Sequence, residues 1–354
     1  MKEKSMMMEA CFKNKVDYYP VWLMRQAGRY MKSYQKLRER YSFVELCKES
    51  ELAAEVTMQP IREMGVDAAI IFSDILFLLE GMGLKLLYGN GGEGPYIENP
   101  VRSEKDIIRL RDSNISTEFR FLLEAIQNVK GQLSNCIPLI GFSGSPWTLA
   151  AIAIQGSFKE DFKKAKEFMY QAPNAFKLLM NKIIRSVCYY LKAQLDAGAD
   201  IIQIFDSLAL YLSRKEYLNY SLSSIINVIK YIKAESNRNA PVIVYSRGAN
   251  HSLSEISGTG CDVINIDTIL SIREAYQITM NKVAIQGNLD PVVLLTSREI
   301  ISEKVRDILM DAIQIDGFIF NLGHGVLSET PEDNVKFLVD YVHEESKKIL
   351  NDKL

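Results

Sequence analysis

The sequence predicts an α/β fold: a single-domain (β/α)8 TIM barrel over residues 1–354, with a β-hairpin excursion after the second strand. Three observations carry that prediction. Short apolar runs recur eight times, each ending in small or polar residues and most followed by a helical pattern. The runs do not alternate polar with apolar, which is the signature of strands buried on both faces of a parallel sheet. Finally, 354 residues that are 47% hydrophobic and 24% charged supply one large core, and α/β barrels are the usual single domain of that length. Periodicity alone does not show closure, so a doubly wound sheet is the structural alternative. No internal repeat, low-complexity tract or linker divides the chain.

The first run, residues 21–24, follows Pro20 and leads into Arg25-Gln26-Ala27-Gly28-Arg29. If the chain turns helical after Met24, Arg25 and Arg29 fall on one face. They would then form a fork for carboxylates, because a guanidinium binds anions bidentately and stays charged at any working pH. Two solvated arginines are the plainer reading. The position at a strand's C-terminal end favours the fork, since α/β enzymes place their sites there.

The remaining runs are residues 68–72, 138–142, 201–205, 242–245, 263–267, 283–286 and 318–321. Apolar spacing of three to four residues predicts amphipathic helices around 158–195 and 298–313. Thr330-Pro331-Glu332-Asp333 reads as an N-cap, a proline at N1 and two acids in the first turn of a helix reaching about Lys348. Gly89-Asn90-Gly91-Gly92-Glu93-Gly94 matches G-x-G-x-x-G by spacing, but a dinucleotide fingerprint must open a helix, and Pro95, Tyr96-Ile97 and Pro100 follow. With Leu84-Lys85-Leu86-Leu87-Tyr88 before it, the segment reads as a hairpin.

A net charge of −2 argues against a general nucleic-acid or membrane-surface binder, so an acidic ligand would need a local cationic pocket. No apolar run reaches the ~18 residues of a membrane span, and the charged N-terminus lacks a secretory h-region. Five scattered cysteines without a Cys-x-x-Cys pair fit reduced thiols in a cytoplasmic protein.

Three further strand ends carry polar groups. Asp74 stands just past the second run among apolar neighbours, where it is either a loop or helix cap or an acceptor for N–H donors and developing positive charge. Ser207 ends Gln203-Ile204-Phe205-Asp206-Ser207 and is a cap or a ligand contact. His324 lies between glycines in Asn321-Leu322-Gly323-His324-Gly325, where an imidazole is structural or reaches a ligand. His251 and His343 have no comparable context.

Pro20-Val21-Trp22-Leu23-Met24-Arg25-Gln26-Ala27-Gly28-Arg29-Tyr30 closely resembles the N-terminal signature of the uroporphyrinogen decarboxylase family. Similar matches are Ala68-Ala69-Ile70-Ile71-Phe72-Ser73-Asp74, Gly141-Phe142-Ser143-Gly144-Ser145-Pro146-Trp147-Thr148-Leu149, the Gln203–Ser207 segment, Gln286-Gly287-Asn288-Leu289-Asp290-Pro291 and the Asn321–Gly325 segment. The resemblance implies loss of CO2 from the four acetate side chains of uroporphyrinogen III, giving coproporphyrinogen III, without metal or organic cofactor, in a homodimer. It implies that Asp74 receives the pyrrole N–H groups and stabilises a cation on a protonated pyrrole, and that Arg25 and Arg29 hold acidic side chains. Gln26, Ser207 and His324 would set orientation, with Ala27 and Gly28 in the same binding loop and Lys48 a further cation near the pocket. Ile152 departs from the family, which usually has a tyrosine five residues after this tryptophan. The proton source stays open between Arg25 and a bound water, because a guanidinium is a poor donor.

Two rivals differ in class. A zinc-dependent corrinoid methyltransferase of the same superfamily would use a His-x-Cys pair and a distant Cys, whereas His251 is followed by Ser252-Leu253 and His324 by Gly325-Val326. A porphyrinogen-binding protein without catalysis is the non-enzyme alternative, suggested by Ile152.

Overall fold

The computed structural model describes residues 4–89, 94–112, 115–158, 160–236 and 239–352. Seven strands form one parallel sheet: β1 (Ala69–Ile70), β4 (Leu139–Gly144), β5 (Ile201–Asp206), β6 (Val242–Ser246), β7 (Val263–Asn265), β8 (Ala284–Leu289) and β9 (Phe318–Leu322), adjacent in that order. Every residue of β4, β6, β8 and β9 is buried, as the unbroken apolar runs require of strands covered on both faces. The eighth place is filled by residues 20–22, which bond to both edges of the sheet. Phe320 N–H donates to Pro20 O at 2.8 Å and Trp22 N–H to Phe320 O at 3.4 Å, while Asp67 N–H donates to Val21 O at 2.7 Å. The sheet is thereby closed into a barrel.

The first expected strand, 21–24, is thus reduced to a bridge at Val21. Side chains take the place of its ladder: Val21 N–H goes to Asp67 Oδ2 at 2.7 Å and Met24 N–H to Asn321 Oδ1 at 3.1 Å. The second run keeps only Ala69–Ile70 as strand and the sixth stops at Asn265, whereas the third extends to Gly144.

One device recurs at the N-terminal rim. Asp67, Asp200 and Asp262 each precede a strand, and each binds one residue of the neighbouring strand through both backbone groups. Their N–H groups donate to Val21 O, Leu139 O and Val242 O at 2.7, 2.8 and 2.9 Å. Their carboxylates accept the N–H of those same residues at 2.7, 2.8 and 2.7 Å. A base then faces each acid: His343 Nε2 at 2.7 Å, Lys130 Nζ at 2.6 Å and Lys233 Nζ at 2.6 Å. These charge-assisted bonds fix adjacent strands in register. His343, without context in the sequence, therefore has a structural one.

Helices cover the barrel. Pro173–Ala197 buries Leu179, Ile183, Val187, Leu191 and Leu195, a stripe at four-residue spacing, each contributing about 1.5–3 kcal/mol. The single pattern expected over 158–195 divides into Lys163–Gln171 and this helix, because Pro173 starts a new N-terminus. The last helix is Glu332–Asp352, and the expected cap is absent: the buried Thr330 hydroxyl makes no hydrogen bond. The hairpin is present as β2 (Leu86–Tyr88) paired antiparallel with β3 (Pro95–Ile97). Of the glycine-rich run, residues 90–93 lie outside the described residues. Ile97 N–H donates to Gly156 O at 2.7 Å, tying the hairpin to the helix Pro146–Gln155.

Candidate active site

The C-terminal ends of the strands bring two loops together. Val326 N–H donates to Met24 O at 2.9 Å, and Asn321 Oδ1 holds Met24 N–H, so the backbone of Met24 is bound on both sides by the segment after β9. The chain then turns tightly, with Arg25 at φ 62° and no helix before Lys32. The expected helical face carrying Arg25 and Arg29 together does not form. Gln26 sets the turn instead: its Oε1 accepts Leu23 N–H at 3.1 Å and its Nε2 donates to Ala68 O at 3.0 Å. Gln26 is buried and its amide is committed to the scaffold at both ends, while Ala27 and Gly28 complete the turn half-buried.

Both arginines are exposed, and among the described residues neither has a carboxylate within ion-pair distance. Their surroundings differ. The charge of Arg25 acts on Asp74, Tyr245 and His324, whereas that of Arg29 acts on Tyr34. Arg25 also packs against Gly325: a Cβ there would stand 3.0 Å from Arg25 Nε and closer still to its Cγ and Cδ. Glycine at 325 is what lets the guanidinium stem cross the loop.

Asp74 lies partly buried past β1, and its two oxygens have different donors. Leu76 N–H reaches Oδ1 at 2.9 Å, the local cap that sequence reasoning weighed as one alternative. Tyr88 OH reaches Oδ2 at 3.0 Å from the hairpin. Burial raises the proton affinity of Asp74 above the ordinary carboxylate range, although Leu76 N–H, Tyr88 and the Arg25 charge all oppose it.

Across the mouth, Phe142, Phe205 and Tyr245 form an edge-to-face series with centroids 5.6 and 6.3 Å apart. Tyr245 OH donates to Gly323 O at 2.9 Å, joining β6 to the loop that carries His324. Burial, then the charges of Arg247 and Arg25, lowers the His324 pKa, so at neutral pH the ring is a neutral donor or acceptor. Ser207 lies half-buried after β5, with no hydrogen bond to its hydroxyl among the described residues. Its neighbour Asp206 is fully buried and accepts from Ser145 Oγ at 2.6 Å, Thr148 Oγ1 at 3.0 Å and Ser221 Oγ at 2.6 Å. Beneath the mouth, Trp22 Nε1 donates to Gln286 Oε1 at 2.8 Å, and Gln286 Nε2 to Asn265 Oδ1 at 2.5 Å.

Arg25, Asp74 and His324 therefore share one electrostatic neighbourhood, while Ser207 stands at the end of β5, two strands from β1. Ile152 is 1% exposed inside the helix Pro146–Gln155 and presents nothing to solvent. Lys48 is already paired with Glu80 at 2.7 Å and lies over the Phe77 ring, so its charge is largely compensated. Sequence reasoning missed Arg247 and Tyr88. The first stands directly after β6, where the strand-end criterion applied to Asp74 would have found it. The second depends on hairpin register, for which the sequence carries no marker.

The arrangement offers exposed cations for carboxylates beside a partly buried carboxylate whose proton affinity burial raises. Among the described residues, no group of three or more His, Cys, Asp or Glu side chains is placed to hold a metal ion. No helix among them is long and apolar enough to cross a membrane.

Residues 2–345 match the family model described as uroporphyrinogen decarboxylase (URO-D). Similar proteins named uroporphyrinogen decarboxylase include one from Carboxydothermus hydrogenoformans, 44% identical over 95% of each chain. Another, from Roseiflexus sp., is 46% identical over 97% of this chain and 99% of the relative. Among solved structures, a methyltransferase from Methanosarcina mazei superposes with a TM-score of 0.81 at 18% identity, covering 97% of this chain and 99% of that one. That likeness is one of fold.

Proposed function

The chain belongs to the uroporphyrinogen decarboxylase family, and on that premise we propose that it removes the carboxyl groups of the four acetate side chains of uroporphyrinogen III, giving coproporphyrinogen III. One observation carries the assignment of the site: the unpaired Arg25 guanidinium, seated on Gly325, acts on the same space as Asp74. A macrocycle bearing several carboxylates needs fixed cations, and a decarboxylation needs an electron sink.

In this reading the substrate supplies the sink. Protonation of a pyrrole carbon makes the ring cationic, and the bond from the side-chain methylene to its carboxylate then breaks. Its electron pair neutralises the ring, CO2 leaves, and a proton added to the methylene as the ring proton departs completes the methyl group. Each acetate thus consumes one proton and releases one CO2. Asp74 faces the pyrrole N–H groups and stabilises the cation electrostatically. Arg25, Arg29 and Arg247 hold acidic side chains, while Ser207 and His324 orient the ring. Gln26, Ala27 and Gly28 act through the loop they shape. The reading carries with it a homodimer in the cytoplasm, supported by membership of the family.

The test is an assay of purified, metal-stripped protein on uroporphyrinogen III, with chromatography of the oxidised products. Stepwise appearance of hepta- to tetracarboxylate porphyrins is expected. Tight binding without any loss of CO2 would overturn the catalytic reading, and methyl transfer restored by added zinc would support the methyltransferase instead.

A further inference from the structure

Among the described residues Tyr88 is the one hydroxyl-bearing side chain bonded to Asp74, and it comes from outside the barrel. Its OH donates to Asp74 Oδ2 at 3.0 Å from strand β2 of the hairpin. The ring is held by Phe43 on one side and Phe77 on another, with centroids 5.3 and 6.3 Å away. Asp74 Oδ1 is occupied by Leu76 N–H at 2.9 Å, so the Tyr88 bond fixes the remaining oxygen and with it the plane of the carboxylate.

We propose that Tyr88 is a positioning residue for the decarboxylation, holding Asp74 oriented toward the mouth, and that strand β2 is therefore part of the active site. The inference rests on the role given to Asp74 above. Among the described residues no other group supplies that second bond: Ile152, whose place in the family signature belongs to a phenol, has no polar group and is buried. The direction of the exchange is fixed. Burial and the Asp74 charge push the Tyr88 phenol far above its ordinary value, so it donates and does not titrate in the working range. The other titratable groups facing Asp74 are Arg25 on the turn after the closing segment, Cys47 on the helix Phe43–Lys48 and Tyr190 on Pro173–Ala197. Burial raises Cys47 and Tyr190 as well, which leaves both neutral near pH 7, while the Arg25 charge opposes the carboxylate's neutralisation.

Tyr88→Phe keeps the ring between its aromatic neighbours and removes only the donor. It should lower kcat roughly tenfold with KM changed less than about twofold, since the bond acts on Asp74 and not on the substrate's side chains. The Tyr88 bond favours ionised Asp74, so its loss should move the acidic limb of the kcat/KM profile to higher pH. Carbon-13 NMR titration of the aspartate carboxyls, with Asp74→Asn identifying the signal, measures the same shift without any turnover. An upward Asp74 shift together with the kcat loss supports the proposal. Unchanged titration and profile overturn it, as does a lower kcat that tracks only a lower melting temperature. If the parent protein fails to decarboxylate uroporphyrinogen, the functional reading falls, and the NMR arm still decides whether Tyr88 holds Asp74.

Discussion

Replacing Asp74 with asparagine separates its electrostatic role from its capping one. The substitution preserves shape, and its oxygen can still take Leu76 N–H in place of Asp74 Oδ1. What changes is the bond with Tyr88, at 3.0 Å: the amide Nδ2 now faces the phenol and donates to its oxygen, so a charge-assisted bond becomes a neutral one, a loss of about 1 kcal/mol out of the ~1.5–3 kcal/mol such bonds are worth. Against this, the variant no longer keeps an ion in surroundings that already raise its pKa, a gain of similar order. The two effects nearly cancel, so the melting temperature should move by no more than about 2–4 °C. Turnover has no such offset. Removing the charge that stabilises the pyrrole cation should cost on the order of 10²–10³ in kcat, or about 2.7–4 kcal/mol. The assay is initial-rate formation of coproporphyrinogen beside a thermal melt of each protein. The parent should also lose kcat/KM as pH falls through the raised Asp74 pKa, above the ordinary carboxylate range, and the variant should show no such limb. Turnover within about threefold of the parent, or a loss that tracks unfolding, would refute the electrostatic role.

Gly325→Ala should raise KM by roughly tenfold with little change in melting, because the new Cβ displaces the Arg25 stem and with it one bidentate carboxylate contact; kinetics at saturating and limiting substrate check the split. At the opposite rim, Asp262→Ala removes the acceptor for Val242 N–H at 2.7 Å and the partner of Lys233, so urea unfolding should register a loss of about 2–3 kcal/mol without a specific effect on KM. Asp206 gives a pH-dependent prediction: burial raises its folded pKa above 3.8, so the native state binds more protons than the unfolded one just above that pH. Stability relative to Asp206→Asn should be greatest below about pH 4 and fall as pH rises through the raised value, as melts across pH 3–8 would show; a difference that grows with pH would be the wrong sign.

How much of this was readable in advance follows from which forces are local. The central strands could be placed because burial on both faces forces unbroken apolar runs, as in Ile201–Asp206 and Val242–Ser246. The closing strand was located by the run at residues 21–24, but not its shortening to a bridge at Val21, because side chains distant in sequence, Asp67 and Asn321, take the N–H groups of Val21 and Met24. The same cause defeated the expected helix after Met24. Gln26 bonds Leu23 N–H and Ala68 O, holding a turn that puts Arg25 in the left-handed region, and no periodicity encodes that. For Asp74 the local cap is present, since Oδ1 accepts Leu76 N–H, while the other oxygen takes Tyr88 OH, a partner that no sequence pattern marked. Thr330 shows the converse: the pattern Thr-Pro-Glu-Asp marks the helix start correctly although the hydroxyl itself caps nothing.

The distribution of charge explains how a chain with net charge −2 can recruit an acidic ligand. At the N-terminal rim, Asp67, Asp200 and Asp262 are each met by a backbone N–H and a basic side chain, so their field is largely cancelled at the surface. At the C-terminal mouth the order is reversed: Arg25 and Arg247 stand exposed without a carboxylate partner among the described residues, and the nearby Asp267 is occupied by neutral donors, Gly248 N–H at 2.8 Å and Asn250 Nδ2 at 2.7 Å. The guanidiniums beside Asp74 can thus attract an acidic ligand, over about one Debye length, ~8 Å at physiological salt. On the proposed reading the guanidiniums would fix a polycarboxylate by its arms within that range and leave the ring itself to Asp74. Binding energy is in this way taken at the periphery and used at the centre, the condition under which it lowers a barrier and does not merely tighten a complex.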